Sequence, residues 1–198
     1  MKKTLVLFSH PRFEKSRVNL SLINHIKDKK HVTVHDLYEQ YPDFNIDVNA
    51  EKKLLNEHDI IIWHHPFYWY SCPPLMKQWL DMVLEFNWAY GPEGKALQNK
   101  VCLNVITTGG SKEVYCSEGY NSFTIRQFLR PFEQTAILCG MNYYPPFAVM
   151  GTHNLSDDAL HDYKINYGNV IDLLQADLKI NSNESTSFLN DIPQLKTL

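Results

Sequence analysis

The sequence predicts an α/β domain built on a doubly wound, five-stranded parallel sheet with helices on both faces. Apolar runs alternate with amphipathic stretches along the chain, the pattern of strands joined by crossover helices. At 198 residues, 44% hydrophobic and 21% charged, the chain can bury one ordinary core. Neither an internal repeat nor a linker divides it. The domain is expected over residues 1–180, with 181–198 as an Asn/Ser-rich tail that is loose or docked on a partner subunit.

Thr4–Ser9 reads as a buried strand, followed by a polar turn over His10–Arg17 and an amphipathic stretch over Val18–Ile26. His31–Asp36 alternates as a second strand, and Leu37–Val48 reads as irregular. Ala50–Glu57 has the pattern of a short helix. Asp59–His64, with three consecutive isoleucines, has that of a third strand. Pro74–Phe86 places Leu75, Trp79, Met82, Val83 and Phe86 at helical spacing, with Pro74 suited to a first turn. Val101–Thr107 is the fourth strand and opens into Thr108-Gly109-Gly110. Phe123–Leu138 is apolar on one face, but Pro131 predicts a kink or a restart. Tyr143–Val149 is the fifth strand, and Pro145-Pro146 fits it to an edge. Ser156-Asp157-Asp158 supplies a cap and an acidic first turn to a last helix running toward Leu178.

Composition narrows the function. A formal net charge of -3 gives no global drive toward nucleic acid. Cys72, Cys102, Cys116 and Cys139 are far apart and form no C-x-x-C pair, so they read as reduced thiols; no metal site is expected. The apolar run after the first two lysines is too short for a signal peptide, and nothing approaches the roughly 18 apolar residues of a membrane span. A cytoplasmic protein is expected, reaching the inner membrane only through a partner. The 11 Tyr, 10 Phe and 4 Trp are the unusual feature, many of them between Trp63 and Tyr90.

Open parallel sheets bind ligands at the carboxyl ends of their strands, so three loops matter. The first, Ser9–Asn19, has no G-x-G-x-x-G and no Walker pattern, yet His10, Ser16, Arg17 and Asn19 can all donate hydrogen bonds beside a helix start. A cap with solvated basic neighbours is the plainer account. The second, His65–Pro74, holds Phe67, Tyr68, Trp69 and Tyr70 between stiffening prolines at Pro66, Pro73 and Pro74. It suits a flat heterocycle's edge, or an aromatic mini-core. The third, Thr107–Ser111, pairs Gly109 with Gly110, so backbone can approach a ligand; a flexible turn would serve as well. Three such loops at three strand ends point together to a ligand with one phosphate and a planar ring, a mononucleotide.

These segments resemble the flavodoxin-like NAD(P)H:quinone oxidoreductases, the family of DT-diaphorase, over residues 4–178. The matching blocks are Ser9-His10-Pro11, Pro66–Tyr70 with Pro74–Trp79, Trp88-Ala89-Tyr90-Gly91, Gly94-Lys95-Ala96-Leu97, and Thr107–Ser111 with Tyr115. Tyr41–Asp47, Trp69-Tyr70-Ser71 and Leu129–Glu133 are most similar to the bacterial branch of ancillary subunits of glutathione-gated potassium efflux systems. The resemblance implies bound FMN, NADH or NADPH as co-substrate, and two-electron reduction of a quinone by a ping-pong hydride mechanism. It implies that His10 and Ser16, Arg17, Val18 and Asn19 hold the phosphate and ribityl end. Pro66, Phe67, Tyr68, Trp69 and Tyr70 would line the ring edge, and Thr107, Thr108, Gly109 and Gly110 the pyrimidine side. Gly109, Gly110 and Tyr115 would be the catalytic donors. DT-diaphorase has a histidine six residues beyond the tyrosine that Tyr115 resembles; this chain has Asn121 there, which cannot titrate near neutral pH. Trp88 and Tyr90, in a loop that looks exposed, would close the partner subunit's substrate pocket in a homodimer.

Other readings share the fold. An azo- or nitro-reductase differs only in the acceptor, and a redox-sensing ancillary subunit of a potassium efflux transporter is compatible with the same flavin. A plain flavodoxin-type carrier fits the aromatic pocket less well. A Ser-His hydrolase on Ser9-His10 is disfavoured, because adjacent strand residues point to opposite faces and no G-x-S-x-G elbow exists.

Overall fold

The computed structural model describes residues 1–177 and 188–192. Its strands are β1 (Thr4–Phe8), β2 (Val32–Asp36), β3 (Ile60–Pro66), β4 (Val101–Thr107), β5 (Asn142–Tyr143) and β6 (Phe147–Val149). The helices are α1 (Arg17–Ile26), α2 (Leu37–Gln40), α3 (Val48–Asn56), α4 (Pro74–Val83), α5 (Ile125–Phe128), α6 (Arg130–Leu138) and α7 (Asp157–Gln175). All pairings are parallel, in the order β2-β1-β3-β4-β5, with β6 also on β4. β1 therefore has β2 on one side and β3 on the other. The chain reverses its winding there, and the gap between the carboxyl ends of β1 and β3 is a ready crevice.

Period-two alternation along the central strands divides the core in two. Leu5 and Leu7 of β1 join Ile61, Trp63, Trp79, Ile106 and Phe132 on one face. Val6 and Phe8 join Ile60, Ile62, Leu103, Phe147 and Tyr167 on the other. Each such side chain stabilises the fold by about 1.5–3 kcal/mol when fully buried. The expected elements stand, with local corrections. Leu37–Gln40 of the irregular segment forms a helical turn, because the Asp36 carboxylate accepts from the N–H groups of Tyr38 and Glu39. α3 starts two residues early, capped by Asp47. α4 stops at Val83, so Phe86 lies beyond it and is exposed. The restart before Pro131 divides α5 from α6 at Leu129, and Ser156 caps α7 through the N–H of Ala159.

The fifth strand position is the main refinement. It is two short pieces, β5 at the start of β4 and β6 at its end, with Pro145-Pro146 between them. Its outer edge is covered locally by the tail. Asn190 Oδ1 accepts from the Ala148 N–H at 2.8 Å and Asn190 Nδ2 donates to the Ala148 carbonyl at 3.1 Å, as a neighbouring strand would. Phe188, Leu189 and Ile192 are buried beside it. Residues 188–192 thus pack on the edge of their own sheet, which offers them backbone partners; the rest of the expected tail lies outside the described residues.

Below the sheet's first face sits an element that sequence reading passes over. Glu51 of α3 is 1% exposed and accepts from Tyr41 Oη at 2.6 Å, His35 Nε2 at 2.7 Å and Trp79 Nε1 at 2.7 Å. Burial alone would raise its carboxyl pKa, but these donors hold it below the usual range. One acid thus ties α3 to β2, α4 and the Tyr41–Asp47 segment.

Candidate active site

A cleft of about 430 Å³ opens at the carboxyl ends of β1, β3 and β4. His10, Ser16, Arg17, Val18, Asn19, Pro66, Phe67, Tyr68, Thr107 and Gly109 line it, so all three expected loops meet in one place. Arg12, Lys15, Thr152 and His153 complete the wall. These four were not nominated from sequence. Thr152 and His153 follow the carboxyl end of β6, so the strand-end rule that selected the other loops also points to them.

One end of the cleft is rich in hydrogen-bond donors. Ser16 caps α1, its Oγ accepting from the N–H and from Nδ2 of Asn19 at 3.3 and 2.9 Å. Both hydroxyl lone pairs are then used, and its proton is left to donate outward. Among the described residues, the N–H groups of Arg17 and Val18 have no acceptor, as the first turn of a helix requires. His10 Nδ1 accepts from the Arg12 N–H at 3.1 Å, and burial lowers the pKa of its imidazole. The neutral ring therefore carries its proton on Nε2. Arg17 differs from expectation: its guanidinium bonds the Asp157 carboxylate and the Leu155 carbonyl at the start of α7. Its backbone N–H, not its charge, is its contribution, while Arg12 and Lys15 supply cations at the rim.

The other wall is flat and apolar. Phe67 N–H donates to the Thr107 carbonyl at 2.8 Å, which pins the aromatic loop to β4. Gly109 lies against His153: a Cβ there would stand 2.5 Å from His153 Nε2. Glycine is needed for this contact. Gly110 has no such role in the cleft; a Cβ there would meet Val114 and Tyr115.

Of the residues expected to hold the cofactor or act in catalysis, five do not line the cleft: Trp69, Tyr70, Thr108, Gly110 and Tyr115. Trp69 and Tyr70 have φ of 49° and 63°, and Ser71 N–H donates to the Tyr68 carbonyl at 3.0 Å, so the loop reverses in a tight left-handed turn. Left-handed backbone costs about 1–2 kcal/mol per non-glycine residue. The turn throws Trp69 into water, 93% exposed. Tyr70 stacks on Phe128 at 5.0 Å, and Tyr115 meets Phe67 at 5.8 Å, so both join an aromatic cluster bordering the cleft. Burial raises the pKa of the Tyr115 phenol, followed by the proximity of Tyr70, which keeps it a proton-bearing donor. Trp88 and Tyr90 are not left in water as expected. They are half-buried against their own core, with Lys52 Nζ 4.9 Å from the Trp88 ring centre, because the short α4 lets the loop fold back.

The family model for the flavodoxin-like fold matches residues 2–171. This chain belongs to the flavodoxin-like family. Within it, the chain is 43% identical over 166 residues to the glutathione-regulated potassium-efflux system ancillary protein KefG of Serratia proteamaculans, covering 84% of this chain and 91% of that one. It is 43% identical over 175 residues to YrkL of Bacillus subtilis, named as an NAD(P)H oxidoreductase, covering 88% and 99%. Among solved structures, general stress protein 14 of Treponema denticola in complex with FMN matches with a TM-score of 0.78 and 37% identity, covering 88% and 98%. An NADPH-quinone reductase of P. pentosaceus matches at 0.78 and 32%, covering 85% and 96%. A chain described as a thermophilic tryptophan halogenase from Streptomycin violaceusniger matches at 0.83 and 39%, covering 89% and 99%. The neighbours' names span several chemistries, so the likeness fixes family and frame, while the reaction must be argued from the cleft.

Proposed function

We propose that the protein is an FMN-dependent NAD(P)H:quinone oxidoreductase. The observation that carries the reading is the donor set at the start of α1, where the Ser16 hydroxyl, the Arg17 and Val18 N–H groups and His10 face one end of a cleft with a flat apolar wall. Donors without acceptors beside a positive helix end suit a phosphate, and a wall of Pro66, Phe67 and Tyr68 suits a planar ring. The FMN-bound neighbour shares this frame at 37% identity. Held by these residues, FMN would supply two-electron chemistry between NADH or NADPH and a quinone. The chain's own residues would orient the cofactor and leave one face open for both substrates in turn, with the Gly109 backbone in the cleft wall and Tyr115 in the aromatic cluster that borders it.

The working unit of this reading is a homodimer. Met82 and Phe86 near α4 and Ile137 and Leu138 on α6 are exposed, and the groove between these helices is lined by Leu80, Tyr90 and Phe132. Two-fold pairing would cover them and bring Trp88 and Tyr90 toward the partner's cleft. A second role, as ancillary subunit of a potassium efflux system, is favoured by relatives bearing that name and by the Tyr41–Asp47 block anchored on Glu51. No helix among the described residues is long and apolar enough to cross a membrane, so that role requires docking on a membrane partner.

The test is a visible spectrum of the purified protein under nitrogen. NAD(P)H should bleach a flavin band that a quinone then restores, with FMN released by acid. Release of FAD alone, or a flavin that NAD(P)H leaves oxidised, would refute the reading.

A further inference from the structure

Behind the cleft, a chain of polar groups runs along one face of the sheet, from α7 through β3 to α1 and β4. Tyr167 Oη of α7 donates to His64 Nδ1 at 3.4 Å, and His64 Nε2 on β3 donates to Asn19 Oδ1 at 3.0 Å. Asn19 Nδ2 then donates to Ser16 Oγ at 2.9 Å and to Thr107 Oγ1 at 3.1 Å. Tyr167 and His64 are fully buried, and Asn19 is 2% exposed. Burial keeps His64 uncharged, its pKa well below the ordinary histidine value, followed by the neighbouring His65 and His10.

The bond directions follow from counting protons. With the His64 proton on Nε2, both protons of Asn19 Nδ2 and its Oδ1 are all matched. Moving the proton to Nδ1 would turn the amide over, and Nδ2 would face one acceptor with two protons. An unmatched donor in so buried a place costs about 1–3 kcal/mol, so the first arrangement holds. In it Ser16 and Thr107 are both acceptors toward Asn19. Among the described residues neither hydroxyl proton has an acceptor, and both residues line the cleft.

We propose that His64 and Tyr167, neither of which lines the cleft, are positioning residues that hold Ser16 and Thr107 as hydrogen-bond donors to the phosphate-bearing end of the cofactor. Asn19 Nδ2 bridges the two hydroxyls, which puts Thr107 at that end instead of the pyrimidine side that the family resemblance implies. The proposal rests on the FMN reading above. A polar chain with no such duty would be replaceable by apolar packing. Here its two outer ends are hydroxyls in a binding cleft, and the proton on the histidine decides which way they point.

The experiment compares His64→Met with His64→Gln, whose amide can place an N–H where the imidazole Nε2 lies. Apoprotein is titrated with FMN and with riboflavin, which lacks the phosphate. His64→Met is expected to weaken FMN by about 10- to 100-fold, the range of one or two hydrogen bonds to a charged group. Riboflavin should change by less than about 3-fold, and His64→Gln should recover most of the FMN affinity. Unchanged FMN binding, or equal weakening of both ligands, would overturn the proposal. Should the wild type bind no FMN, the cofactor reading fails instead. Nitrogen NMR of the wild-type imidazole then tests the relay alone and needs no variant to fold. A neutral ring protonated at Nε2 is expected; a proton on Nδ1, or a charged ring at neutral pH, would overturn it.

Discussion

The phenol of Tyr70 donates to Asn121 Oδ1 at 3.2 Å, joining the loop after β3 to the loop after β4. Asn121 stands where the resemblance to DT-diaphorase implies a histidine, and its contact with Tyr70 suits a tether between the loops. Asn121→Ala should therefore slow turnover by less than the roughly 100-fold typical of losing a general acid. Tyr115→Phe should cost more, because its phenol keeps its proton beside Phe67. Steady-state rates on flavin-loaded protein decide it. A larger fall for Asn121→Ala, with FMN retained, would contradict the assignment.

Replacing Glu51 should expose how much one buried carboxylate organises. Glu51→Leu leaves the Tyr41 hydroxyl and Trp79 Nε1 without their acceptor in the core. The expected loss is about 3–5 kcal/mol in urea unfolding, as for breaking a buried pair by removing one partner. A loss below about 1 kcal/mol would show that water or neighbouring groups replace the acid.

Acid should destabilise the fold before the carboxylates titrate. His65 is buried, its Nδ1 donating to the Pro66 carbonyl and its Nε2 accepting from Asn104 Nδ2, both at 3.0 Å. Burial lowers its pKa to about 4, and the pKa values of His64 and His10 are lowered for the same leading reason. Unfolded histidines take up protons near pH 6.5, so below that pH the unfolded state binds more protons than the folded one. Stability is full above about pH 6.5 and falls steadily as pH drops toward the folded values, about 3 kcal/mol of it from His65 alone. Urea midpoints that stay level between pH 6.5 and 4.5 would contradict this, and His65→Gln should flatten the slope.

Gly109→Ala should act through His153. The new methyl would stand 2.5 Å from Nε2 and 2.8 Å from Cδ2, so the ring must swing. FMN affinity should drop by about 10-fold, in the range of overpacking costs. Adding His153→Ala should restore part of it, and failure of the double variant to improve on Gly109→Ala would rule out this route.

Much of this was legible in the chain, for physical reasons that vary by residue. Ile60–Ile62 and Val101–Leu103 are apolar on both faces, so strand, burial and parallel pairing follow together. The loops that follow β1, β3 and β4 stand out because ligands of open parallel sheets sit at the carboxyl ends of the strands. His153 was hidden because Pro145-Pro146 split the fifth strand and weakened the signal of its carboxyl end. Glu51 was hidden because an acid on a short amphipathic helix reads as a solvated face; only the fold brings Tyr41, His35 and Trp79 to it. Trp69 was placed in the cleft by its neighbours' company, and the left-handed turn at Trp69-Tyr70 turned it out. No local pattern reveals two successive positive φ values on aromatic residues.

The central claim is that the start of α1 binds the cofactor's phosphate, and titration of wild-type apoprotein with FMN against riboflavin tests it most directly. Charge-assisted bonds from Ser16, His10 and the Arg17 and Val18 N–H groups should make FMN at least about 100-fold tighter, with Ser16→Ala narrowing the gap. Equal affinity for the two flavins would contradict the account.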